Sequence, residues 1–135
     1  MESPASRRRI EKFGGALAAL GRVIELARQR PLTEAERGGL VQFFELSWDV
    51  GWKVLRDALT DQGVVIDVVA PLPVIREAFS VNLIKDGDGW VLASKARNIL
   101  SHSYDEDMVS REVDRIIDYY YPLMLQTFTD MNNDQ

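Results

Sequence analysis

A chain of 135 residues, 46% hydrophobic and 27% charged, can bury one core and has little room for a second, so residues 1–135 read as a single domain with an ordered core of about 7–128. The formal net charge of −5 weighs against a nucleic-acid coat protein, which holds phosphates through a basic excess, yet leaves room for a site that grips RNA locally. The absence of cysteine excludes disulfides, zinc–thiolate sites and cysteine nucleophiles. No run approaches the roughly 20 apolar residues of a membrane span, and no apolar run follows the N-terminal arginines as a secretory signal requires, which points to a cytoplasmic protein with no membrane partner.

The two ends, Met1 to Ser6 and Thr129 to Gln135, read as disordered. Arg7-Arg8-Arg9 reads as the solvated start of a helix, with a phosphate-contacting arm as the alternative. Ile10, Phe13, Leu17, Leu20, Ile24 and Ala27 then recur at three- and four-residue steps and predict a long first helix. Pro31 ends it, because the residue before a proline is pushed out of the helical region. Thr33-Glu34-Ala35-Glu36 has capping-box spacing and opens a second helix, predicted from about Glu34 to Asp61 and closed by Gln62-Gly63.

That second helix carries two apolar stripes. Val41, Phe44, Trp48, Trp52, Leu55 and Leu59 form one, and Phe43, Leu46, Val50 and Val54 the other. Only a narrow polar strip remains, made of Gln42, Glu45, Asp49, Lys53 and Arg56. A helix apolar on so much of its circumference is central to a bundle or used for self-association. Val64 to Val69 is β-branched but has no partner run, so it reads as an extended connector. A short third helix is predicted from about Pro73 to Val81, a turn at Asp86-Gly87-Asp88-Gly89, and a fourth helix from near Trp90. Asp105 to Asp107 supply first-turn acids for a last helix with the stripe Val109, Val113, Ile116, Tyr120 and Leu123, which Pro122 should kink. The expected fold is all-α: an up-and-down bundle of three long helices and two short ones.

The chemistry-bearing residues gather in Arg97-Asn98-Ile99-Leu100-Ser101-His102-Ser103-Tyr104, which contains the one histidine of the chain. On an ideal helix Asn98 and His102 share a face, whereas Arg97 and His102 lie about 140° apart. Either the helix unwinds after Leu100, or two copies of the chain pool these groups. The residue types suit phosphate chemistry: arginine presents a planar fork to phosphate oxygens, and histidine exchanges a proton near neutral pH. An RNA 2′-hydroxyl attacks its neighbouring phosphate once deprotonated, without a metal, while arginine offsets the charge of the pentacovalent phosphate. No His, Asp and Glu set has metal-ligand spacing, and Asp105, Glu106 and Asp107 read as helix-start acids rather than magnesium ligands. Neither a metal nor a cofactor is expected. Trp48, Trp52 and Trp90 read as core or dimer contacts rather than base-stacking platforms. Tyr119-Tyr120-Tyr121 splits between core and surface, and Glu77 reads as a surface ion-pair partner.

Arg97, His102 and Tyr104 match the Arg-x4-His-x-Tyr motif of HEPN proteins, which the chain resembles over about residues 10–128. Phe43 to Asp57, Val74 to Phe79, Leu83-Ile84 and Trp90 follow in the order of the subgroup called nucleotidyltransferase substrate-binding proteins, which includes HepT-like toxins. The resemblance implies a homodimer with the two motifs across its interface, and a partner that is a minimal nucleotidyltransferase acting as antitoxin. It further implies a metal-independent endoribonuclease of a toxin–antitoxin pair, in which Arg97 binds the scissile phosphate and His102 transfers a proton. Asn98 would orient the site, and Tyr104 would contact the RNA substrate or accept AMP from the partner. A non-catalytic substrate-binding subunit of a nucleotidyltransferase complex is the alternative, favoured by the acidic net charge, and a plain dimeric scaffold is a third.

Overall fold

The computed structural model describes residues 2–102 and 105–133. Two long antiparallel helices, α1 (Pro4–Gln29) and α2 (Glu34–Asp61), make the most extensive contact in the molecule. Helices α3 (Pro71–Ser80) and α4 (Gly87–His102) pack on α2, and α5 (Glu106–Arg115) runs through a π turn (Ile116–Tyr120) into α6 (Tyr121–Asn133), which returns along α1. The last three form one helical run, so the bundle has three long runs and two shorter helices, as the periodicity predicts. No strand occurs among the described residues.

The capping residues act where the sequence places them. Thr33 Oγ1 accepts from the Glu36 amide at 3.1 Å while Glu36 Oε1 accepts from the Thr33 amide at 2.9 Å, completing the capping box. At the other end of α2, Gly63 takes φ +81° and the amides of Gly63 and Val64 reach back to the carbonyls of Thr60 and Leu59. This is a Schellman closure, and its left-handed residue is one that glycine adopts without a Cβ clash. Asn82, with φ 62°, closes α3 in the same way.

Three boundaries differ from the sequence reading. Residues 3–6 are built into the fold: Ser3 caps α1, Pro4 begins it, and Ser6 is buried with its hydroxyl 2.6 Å from Asp61 Oδ2. A capping serine followed by proline outweighs the polar composition that made this stretch look disordered. The C-terminal stretch is helical to Asn133, because Met131 is buried and Asn132 accepts a hydrogen bond from Arg7. The expected turn at 86–89 is instead the first turn of α4, capped by Asp86, whose Oδ1 accepts from the Gly89 amide at 2.9 Å. Pro122 leaves the last run unbroken; the irregularity takes the form of the π turn just before it.

Phe13, Leu17, Leu20 and Ile24 of α1, Phe44, Trp48, Leu55 and Leu59 of α2, Trp90 of α4, and Ile116, Tyr120 and Met124 of the last run fill one core. The core sits beneath α4 and holds that helix against α2.

Candidate functional site

Helix α4 stays regular through His102, so the unwinding allowed by the sequence does not occur before that residue. Arg97 and His102 therefore occupy different faces of one continuous helix. His102 is exposed in its last turn and makes no hydrogen bond or ion pair among the described residues. Tyr104 and Ser103 lie outside the described residues.

Arg97 points across to α2. Its Nε and Nη2 donate to Asp49 Oδ1 and Oδ2 at 3.3 and 3.2 Å, and its Nη1 donates to Ser101 Oγ at 3.1 Å. The Ser101 hydroxyl donates in turn to Glu45 Oε2 at 3.3 Å. Glu45 and Asp49 are one turn apart on α2, Arg97 and Ser101 one turn apart on α4, so four side chains form a polar ladder between the helices. Hydrogen bonding to Asp49, opposed by partial burial and aided by the charges of Asp49 and Glu45, raises the Arg97 guanidinium above the ordinary arginine value. The motif arginine is charged and already occupied by a carboxylate.

Asn98 follows Arg97 on α4. With Trp48, Asp49, Trp52, Ser94, Arg97 and the 70–73 segment it lines an open cleft of about 450 Å³ between α2, α4 and the start of α3. Asn98 and Ser94 make no side-chain hydrogen bond among the described residues. Trp90 and Trp48 belong to the core, as expected, while Trp52 is only half-buried and lines the cleft.

The other residues singled out by sequence sort as follows. Asp105 caps α5, accepting from the amides of Asp107 and Met108 at 3.0 and 3.3 Å; Glu106 and Asp107 are the first-turn acids. Arg9 pairs with Asp57 and Arg7 with Glu2, so two of the three N-terminal arginines are engaged within the chain. Glu77 makes no ion pair among the described residues, which corrects its reading: no cation comes within ion-pair distance of its carboxylate on α3. Tyr120 is core, and Tyr119 donates to Asp86, the cap of α4, at 2.5 Å. The sequence reading missed the roles of Asp49, Glu45 and Ser101. The two acids were visible as members of the narrow polar strip of α2, a signal that marks a face but not its partner.

A helical bundle with an Arg-x4-His segment on a helix packed against the central one is the HEPN type of protein. Residues 8–133 match the family described as nucleotidyltransferase substrate binding protein like, and the chain belongs to that family. Over 84 residues it is 29% identical to the Probable ribonuclease HepT of Haemophilus influenzae. That match covers 60% of this chain and 58% of the relative, so less than two thirds of the relative's length is spanned. A protein of known crystal structure from Thermus thermophilus shares the fold with a TM-score of 0.79, at 25% identity, over 90% of this chain and 99% of that one.

Proposed function

We propose that the chain is a metal-independent endoribonuclease, the toxin of a toxin–antitoxin pair whose other member is a minimal nucleotidyltransferase. Arg97 and His102 act in a composite site formed by two copies of the chain, Asn98 orients the RNA, and Tyr104 is the acceptor of AMP from the partner. The observation that supports the reading is the continuity of α4, which sets Arg97 and His102 about 140° apart around one helix, an arrangement that favours pooling these groups between two chains. The exposure of His102 in the last turn of α4 leaves it accessible to a second copy. In the reaction the 2′-hydroxyl loses its proton to the imidazole and attacks the adjacent phosphorus. A 2′,3′-cyclic phosphate forms as the bond to the 5′-oxygen breaks, that oxygen takes the proton back from the imidazolium, and arginine offsets the added negative charge.

One observation favours the alternative, a non-catalytic subunit that binds substrate for the nucleotidyltransferase: Asp49 and Glu45 set two carboxylates beside the arginine that must hold phosphate. Expression of the wild type and of His102→Ala without the partner separates the two. The ribonuclease reading expects slowed growth and fragmented RNA with the wild type only, unchanged by EDTA in vitro. Intact RNA and normal growth with the wild type would sink it.

A further inference from the structure

The cleft beside Arg97 has a wall composition that a phosphate site would not have. Its α3 side is the first turn of a helix, where three free amides would normally face an anion, but Pro71 and Pro73 occupy two of those positions and only the Leu72 amide remains. What the cleft offers instead is flat apolar surface from Pro71, Pro73 and Trp52. Set into this surface are two polar groups that make no side-chain hydrogen bond among the described residues, the Ser94 hydroxyl and the Asn98 amide. Lys53 Nζ and the Arg56 guanidinium stand over the Trp52 ring, 5.9 and 5.7 Å from its centroid, so positive charge borders the aromatic wall.

A flat ring with donors and acceptors on its edge is the ligand that uses all of these features at once. We propose that this cleft receives one nucleobase of single-stranded RNA, stacked against Trp52 with its edge read by Asn98 and Ser94, and so sets the sequence preference beside the phosphate held by Arg97. The inference rests on the ribonuclease reading for its substrate. A base must leave its duplex to enter such a cleft, so paired RNA is excluded. The volume of about 450 Å³ accommodates a base with its ribose.

The test uses the full chain with His102→Ala, which holds RNA uncut, and fluorescence anisotropy of end-labelled six-nucleotide RNAs, one for each base. Adding Trp52→Ala should weaken binding of the preferred oligomer about tenfold or more, and Trp52→Phe should keep it within about threefold. Asn98→Ala should change the order of preference among the four bases. Duplex RNA and free AMP or UMP should bind far more weakly than the oligomer. The proposal is overturned if Trp52→Ala, with an unchanged circular dichroism spectrum, binds as its parent does. It is equally overturned if free mononucleotide binds as tightly as the oligomer, or if Trp52→Ala alters the oligomeric state and leaves RNA binding alone. Trp52-dependent binding by a wild type that never cleaves would remove the ribonuclease reading and keep the cleft. Cleavage that ignores Trp52 would do the reverse.

Discussion

Asp49 grips Arg97 with both carboxylate oxygens, so the guanidinium proposed to hold a phosphate is occupied by an anion of its own chain. The two side chains are 40% and 31% exposed, and a pair so open to water contributes on the order of 0–1 kcal/mol to stability. It is weak enough to be exchanged for phosphate and strong enough to hold the fork in place beforehand. Asp49→Asn removes the competing charge and keeps the shape. On the His102→Ala background this variant should bind single-stranded RNA up to about fivefold more tightly, with little change in melting temperature. Weaker binding would show that Asp49 serves to position Arg97 rather than to compete for it.

The helix that carries Arg97 is held at its start by Tyr119, whose hydroxyl donates to the capping carboxylate of Asp86. That hydrogen bond, with burial and the charge of Asp86, pushes the Tyr119 phenol up to about 12. A raised phenol favours the protonated folded state: its stabilisation is full below the ordinary tyrosine value of about 10 and is lost as pH rises through about 12. Tyr119→Phe should cost about 1 kcal/mol, a few degrees of melting temperature, at neutral pH. The gap between the two proteins should close between pH 10 and 12. A gap unchanged across that range would mean that packing, not the hydrogen bond, is what the substitution removes.

The same pair crowds Gly89. A Cβ there would stand 2.5 Å from the Tyr119 hydroxyl oxygen and 2.6 Å from Asp86 Oδ2. Gly89→Ala should therefore destabilise by about 1–3 kcal/mol despite alanine's better helix propensity. Combining it with Tyr119→Phe should cost less than the sum of the two single changes in urea unfolding, because both act on one crowded contact. Strict additivity would rule that contact out as the cause.

Acid pH tests the other end of the bundle. Glu36 accepts from Arg30 and from the Thr33 amide, with Arg30 the larger influence, and its carboxyl is drawn down from the usual carboxylate range to about 2. A depressed acid stabilises the fold above its unfolded value and loses that contribution as pH falls through the folded one. Glu36→Gln should melt lower than the wild type above about pH 4.5, with the difference shrinking steadily toward pH 2. A difference that persists at pH 2 would assign the loss to helix geometry instead of charge.

Much of this was legible in the sequence, for reasons that are local. Thr33 and Glu36 announce the start of α2 because capping needs only two residues three apart, and Gly63 announces its end because the left-handed turn needs no Cβ. What was hidden depends on partners distant in sequence. Asp49 and Arg97 are 48 residues apart, and nothing in the strip 42–56 says which helix it will face. The start of α4 was misread because Gly87 and Gly89 carry turn propensity locally, while Asp86 capping and Tyr119 docking, both tertiary, keep them helical. The place of residues 3–6 in the fold was missed because Asp61, the acceptor for Ser3 and Ser6, comes from the far end of α2.

The two-chain site makes a prediction that no single-chain site shares. If Arg97 of one copy works with His102 of the other, each dimer holds two such sites, related by two-fold symmetry. Arg97→Ala and His102→Ala proteins are each inactive alone, since every site in either dimer lacks one group. Unfolded together in equal amounts and refolded, half of the dimers should be mixed. Each mixed dimer regains one intact site, from the surviving arginine of one chain and the surviving histidine of the other. Ribonuclease activity should return to about a quarter of the wild-type level, and it should follow the fraction of mixed dimers as the mixing ratio is varied. A site contained in one chain restores nothing under the same treatment, so a mixture that stays inactive while native mass spectrometry shows mixed dimers would dismiss the composite arrangement.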